Sequence, residues 1–131
     1  MPHMIVEHSA DLSKSHDMQK LANLMAEAAV ATGIFPLAGT RVRMHPVTTF
    51  AMADGHPDNA FVAVVMRIGA GRDLEARKHG GQTVFDVVCD YFATEIDSGF
   101  MAVSLDMEIN DPEVSFKRNG LAKRLNKEIK T

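Results

Sequence analysis

Residues Ala60–Ile68 read Ala-Phe-Val-Ala-Val-Val-Met-Arg-Ile, a run in which apolar and β-branched side chains are almost uninterrupted. A strand with one face in water alternates polar and apolar positions, and a strand covered on both faces does not. The run therefore predicts a strand at the centre of a sheet. The chain has 131 residues, a length that suits one compact domain over 1–131. The other elements have to be arranged around that strand.

They repeat one order. His3 to His8 reads as a short strand. From His16 to Thr32 the residues Met18, Leu21, Met25, Ala28 and Ala29 recur at helical spacing. Ser15 reads as the helix cap, Asp17 as a first-turn acid, and Gly33 as the left-handed residue past the end. Pro36 forces a turn. A second strand is expected from Thr40 to Phe50, interrupted at Pro46, which has no N–H to give to a ladder. Asp54-Gly55-His56-Pro57 has loop chemistry. After the central strand, Gly69-Ala70-Gly71-Arg72 turns the chain into a helix capped by Asp73 and running to Ile96. Val84, Phe85, Val88, Phe92 and Ile96 share one of its faces. Gly80-Gly81 lies inside this helix at about 1 kcal/mol each relative to alanine, and marks either close packing or a kink. Gly99 ends the helix, Phe100 to Ile109 forms the closing strand, Asp111-Pro112 breaks it, and Leu121 to Lys130 reads as a short basic helix.

The predicted class is α+β: two consecutive β-α-β units forming a four-stranded sheet with two helices on one face. Each crossover is expected to be right-handed, with its two strands parallel. Two helices cover one face only, so the other would expose apolar side chains, and self-association follows from the layer count. The nine methionines fit core or subunit contacts. Apolar residues at 46% and charged residues at 24% exclude a disordered chain. A net charge of −3 with scattered basic residues argues against nucleic acid as a partner. Cys89 is the single cysteine, so no intramolecular disulfide is possible, in keeping with the cytoplasm. No apolar run approaches the roughly 20 residues of a membrane span, and the first residues lack the pattern of a secretory signal.

Four residues carry the chemistry the sequence suggests. Removal of the initiator methionine would leave Pro2 with a free secondary amine, fixed by the strand that follows. Burial and nearby cations would keep that amine neutral and basic; the plain alternative is an ordinary chain start. Arg41 and Arg43, two apart on a strand, point to one face, and a guanidinium fork suits a carboxylate. For Arg43 a solvated edge strand is the favoured reading. Arg72 stands where a strand ends and a helix begins, a place for an anion or for a surface turn. Gly69-Ala70-Gly71 has part of a dinucleotide fingerprint, but Leu74 stands where its third glycine belongs. The six histidines have no metal-ligand spacing, and Cys89 reads as a small core residue.

The opening Pro-His-Met-Ile-Val-Glu-His-Ser, the segment from Ala31 to Arg43, the tripeptide Ala53-Asp54-Gly55, and the stretch from Phe61 through Arg77 together resemble the 5-carboxymethyl-2-hydroxymuconate isomerases of the tautomerase superfamily. The resemblance runs from Pro2 to about Asn119 with its segments in order. It implies a tautomerase-like trimer with the sheets facing inward, Pro2 as the catalytic base, and Arg41 and Arg72 as substrate-binding residues. It also implies a small dicarboxylate or tricarboxylate substrate, no metal and no organic cofactor. The implied reaction converts a 2-hydroxymuconate dienol to its 2-oxo isomer in homoprotocatechuate breakdown. Which arginine faces which carboxylate is left open. The stretch Met44–Phe50 lacks the tryptophans of the family, and the tail from about residue 112, more basic beyond Leu121, is expected in subunit contacts. A tautomerase of another unsaturated acid and a non-catalytic trimeric relative are the alternatives. If Met1 is retained, the Pro2 nitrogen is an amide and cannot be a base.

Overall fold

A computed structural model describes residues 1–130, with side chains to Leu125; Thr131 and the side chains of the last basic residues, Lys127 and Lys130, lie outside the described residues. Four strands, β1 (His3–Ser9), β2 (Arg41–Val47), β3 (Ala60–Ile68) and β4 (Met101–Ile109), form one sheet in the order β2-β1-β3-β4. β1 runs parallel to β2 and β3 runs parallel to β4, while β1 and β3 meet antiparallel. This is the doubled β-α-β arrangement expected from the sequence, with the apolar run of β3 inside the sheet.

Helices α1 (Met18–Ala31) and α2 (Leu74–Tyr91) pack against each other and on the sheet, α1 over β2 and α2 over β4. Alternate strand residues face them: Met4, Val6 and His8 from β1, and Val62, Val64, Met66 and Ile68 from β3, all buried. Leu21, Met25, Val84 and Val88 meet them from the helices. Each such apolar side chain contributes about 1.5–3 kcal/mol on leaving water.

Four local expectations need correction. The cap of α1 is Asp17, whose carboxylate accepts from the Lys20 N–H at 3.0 Å. Ser15 instead closes a 3-10 turn, Ala10–Lys14, its own N–H committed to the Leu12 carbonyl. Pro46 does not interrupt β2, since it pairs in register with His8, and β2 is an edge strand, where a missing N–H is tolerated. The strand ends at Val47, short of Phe50. The second helix is not continuous to Ile96. It breaks at Phe92 (φ −111°, ψ 25°) and resumes as α3 (Ala93–Asp97). The break lets the Phe92 ring bury fully beside His16 and Tyr91.

Gly80 settles its own question in favour of close packing. A β-carbon there would lie 2.7 Å from Cε2 of the buried Phe35, and α2 runs through Gly80-Gly81 unbroken. Gly33 takes φ +77° after α1, as its position suggested. The last helix, α4 (Gly120–Lys130), sits near the turn Leu37–Gly39.

The other face of the sheet carries no helix among the described residues. Ile5, Phe61, Ala63 and Val65 form its centre and are half-buried. Arg41, Arg43 and His45 stand along the β2 edge, and Ser104, Asp106 and Glu108 along the β4 edge.

Candidate active site at the chain start

The start of the chain enters the middle of the sheet. Pro2 is buried, and its carbonyl accepts a hydrogen bond from the Arg41 N–H at 3.2 Å. β1 then pairs on both sides, with β2 from His3 to Ser9 and with β3 from His3 to His8. A terminus held this way does not fray. Gly39 makes room for it: a β-carbon at Gly39 would lie 3.2 Å from both Cα and Cγ of Met1.

Three cations gather there. The Arg41 side chain reaches Met1, its Nη2 donating to the methionine sulfur at 3.2 Å. Arg72 follows the turn in which Gly71 adopts φ +116°, a conformation closed to most side chains. Its Nε donates to the Ile34 carbonyl at 3.3 Å, its Nη1 to the Gly69 carbonyl at 3.5 Å, and its guanidinium lies 5.0 Å from the centre of the Phe35 ring. Lys117 is the third. Burial first, and then the charges of Lys117, Arg72 and Arg41, hold the Met1 amine below the usual range of a chain terminus. Among the described residues none of these three cations has a carboxylate within ion-pair distance. A cluster of uncompensated positive charge at a partly buried amine suits an anionic ligand and an unprotonated base.

Beside Met1 opens a cavity of about 500 Å³, lined by His3, Arg67, Asn110, Ser115, Phe116 and Lys117 among others. Met1 itself lines this cavity; Arg41 reaches the Met1 sulfur from outside the lining, and Arg72 is held by Ile34, Gly69 and Phe35. His3 accepts from Arg43 Nη1 at 3.0 Å, and burial, together with Arg43, Arg41 and Arg67, holds its imidazole below the usual range. Arg43 is thus half-buried against His3 rather than a freely solvated edge residue.

Sequence reasoning brought Pro2, Arg41 and Arg72 to attention and overlooked Lys117, Asn119, Phe35 and Gly39. Asn119, in the same segment as Lys117, donates to the Ala38 carbonyl at 2.8 Å and to the Met1 sulfur at 3.8 Å. The available signal was only that the resemblance continued through this stretch. The remaining candidates have local partners: His8 is buried with Nδ1 3.0 Å from the Ser9 carbonyl, and His16 meets Glu95 at 2.7 Å. Burial and the charges of Asp86 and Asp90 push the Cys89 thiol up, away from reactive thiolate. No three His, Cys, Asp or Glu side chains among the described residues are grouped to hold a metal ion, and no described helix is long and apolar enough to cross a membrane.

Comparison with known proteins gives consistent results. The family profile described as 5-carboxymethyl-2-hydroxymuconate isomerase matches residues 2–125. The 5-carboxymethyl-2-hydroxymuconate Delta-isomerase of Escherichia coli is 41% identical over 121 residues, covering 92% of this chain and 96% of its own. The crystal structure of a 5-carboxymethyl-2-hydroxymuconate isomerase from Deinococcus radiodurans R1 superimposes with a TM-score of 0.87 at 29% identity, over 95% of this chain and 93% of that one. A fused 4-OT described as a wild-type symmetric trimer shares the fold, with a TM-score of 0.62 at 18% identity over 92% of this chain and 98% of that one.

Proposed function

The chain belongs to the 5-carboxymethyl-2-hydroxymuconate isomerase family of the tautomerase superfamily, and from that membership we propose that it is a cofactor-independent isomerase converting 5-carboxymethyl-2-hydroxymuconate to its 2-oxo isomer in homoprotocatechuate degradation. The base is the amine of Pro2, freed when Met1 is removed. It takes the proton of the 2-hydroxyl group, the electron pair of that O–H bond becomes the carbonyl, and the displaced double-bond electrons take a proton at carbon. No net oxidation occurs. Arg41 and Arg72 hold substrate carboxylates and stabilise the negative charge that builds on the C2 oxygen.

The observation that carries this reading is the convergence of Arg41, Arg72 and Lys117 on a buried chain start that leads straight into a central strand. The sulfur of Met1 occupies Arg41, so the methionine stands where a substrate carboxylate would have to bind. Removal of Met1 both frees the amine and vacates that guanidinium. We further propose a cytoplasmic homotrimer with the helix-free sheet faces inward and the tail from residue 112 in subunit contacts. The apolar centre of that face, with a basic edge at β2 and an acidic edge at β4, supports it.

The test is turnover by protein whose intact mass shows the loss of Met1. Such protein should convert the dienol without added metal or cofactor, and protein retaining Met1 should not. Equal activity in both forms would remove Pro2 as the base.

A further inference from the structure

Residues 110–119 form a strap across the chain start, clamped at both ends. The Asn110 N–H donates to the Ile68 carbonyl at 2.8 Å, continuing the line of β3 and β4, and the Asn119 side chain donates to the Ala38 carbonyl at 2.8 Å. Within the strap, the Asp111 carboxylate accepts from the Glu113 N–H at 3.0 Å and caps the short turn Pro112–Val114. The strap is therefore held in place while it carries Lys117 over the terminus.

The Lys117 ammonium rests against Gly69, 3.5 Å from where a β-carbon would stand, and the carbonyl of Gly69 holds Arg72. Lys117, Asn110 and Ser115 line both the cavity of about 500 Å³ beside Met1 and a second of about 240 Å³ next to Gly69 and Ala70. The one acid among the lining residues, Asp111, already caps its turn. Lys117 is thus a cation aimed into space shared with the terminus, with no carboxylate partner among the described residues.

We infer that Lys117 is a third cation of the substrate site, placed to take a carboxylate that Arg41 and Arg72 leave unbound, so that the site selects tricarboxylates over dicarboxylates. This rests on the isomerase reading for the location of the site and deepens it by assigning the third acid group. Two guanidinium forks satisfy two carboxylates, and a point charge on a flexible stem suits a third of variable reach.

The experiment measures binding, so that it stands apart from turnover. Protein lacking Met1 is titrated with propane-1,2,3-tricarboxylate and with glutarate, which differ by one carboxylate. The unaltered chain should bind the tricarboxylate about tenfold more tightly, the scale of one charge-assisted contact. Lys117→Met should bring that ratio close to one, with the larger loss falling on the tricarboxylate and the smaller on glutarate, and Lys117→Arg should restore it. An unaltered chain without the preference, a Lys117→Met chain that keeps it, or an equal loss for both ligands would each overturn the assignment. Failure of the isomerase reading would register separately, as absence of turnover by protein that still discriminates between the two acids.

Discussion

Phe35 and Gly80 are packed so closely that a single methyl group on Gly80 would sit 2.7 Å from the ring. Phe35 is buried, with 2% of its surface exposed, and the guanidinium of Arg72 lies over the same ring. The glycine in α2 thus sets the position of a ring that in turn supports a candidate substrate-binding arginine. Gly80→Ala should therefore lower stability despite the better helix propensity of alanine. Overpacking costs about 1–3 kcal/mol and the propensity gain is about 1 kcal/mol, so a net loss of up to about 2 kcal/mol is expected in urea unfolding. Stability above that of the unaltered chain would contradict the packing argument.

Pro2→Ala, processed to expose the new terminus, should lose about 10²-fold or more in kcat. The size is that of a displaced general base. Circular dichroism and unfolding should change little, since Pro2 contributes to the sheet through its carbonyl, which alanine retains. Loss of activity with an intact fold distinguishes the chemical role from a structural one.

Arg72→Ala and Arg41→Ala should behave differently from each other. Arg72 is fixed by two backbone carbonyls and a ring, so its charge is preorganised, and its loss should lower kcat/KM by about 10²–10³-fold. Among the described residues the Arg41 side chain has only the Met1 sulfur as a hydrogen-bond partner and is freed with it, so its loss should appear mainly in KM. Steady-state kinetics of the two variants make the comparison.

The pH dependence follows from the cations at the chain start: burial and the charges of Lys117, Arg72 and Arg41 lower the Met1 amine, and once Met1 is removed the same charges would act on the Pro2 amine. A base works in its unprotonated form, so an amine held below the usual range stays active further into acid. The acid limb of the rate profile should lie below the ordinary titration of a solvent-exposed N-terminal proline amine. Removing a neighbouring charge, as in Lys117→Gln or Arg72→Gln, should move that limb upward and lower activity at neutral pH. A limb that stays in place in both variants would show that these cations do not act on the amine.

The succession of strands and helices could be read because it depends on local pattern. The nearly unbroken run at Ala60–Ile68 marks an interior strand, and the flanking turn residues delimit the helices. What sequence patterning missed are relationships between distant segments. Nothing at Phe35 signals that it will meet Gly80, and nothing at Gly39 signals that it will seat Met1; both follow from where the crossovers return the chain. The break at Phe92 was hidden because its apolar spacing continues through Ile96, and only the burial of the Phe92 ring favours bending over a longer helix. Arg41 and Arg72 were visible through resemblance and strand boundaries, whereas Lys117 lies in a segment of irregular backbone with no periodicity to mark it.

The snug seat that Gly39 provides for Met1, with the strap of residues 110–119 lying across it, also governs what the front of this polypeptide can tolerate. A purification tag or fusion partner added ahead of Met1 would have to pass out through that constriction, and would turn the terminal nitrogen into a peptide link. Recombinant material extended at the front should fold and still be inert, so engineered handles belong at the opposite end.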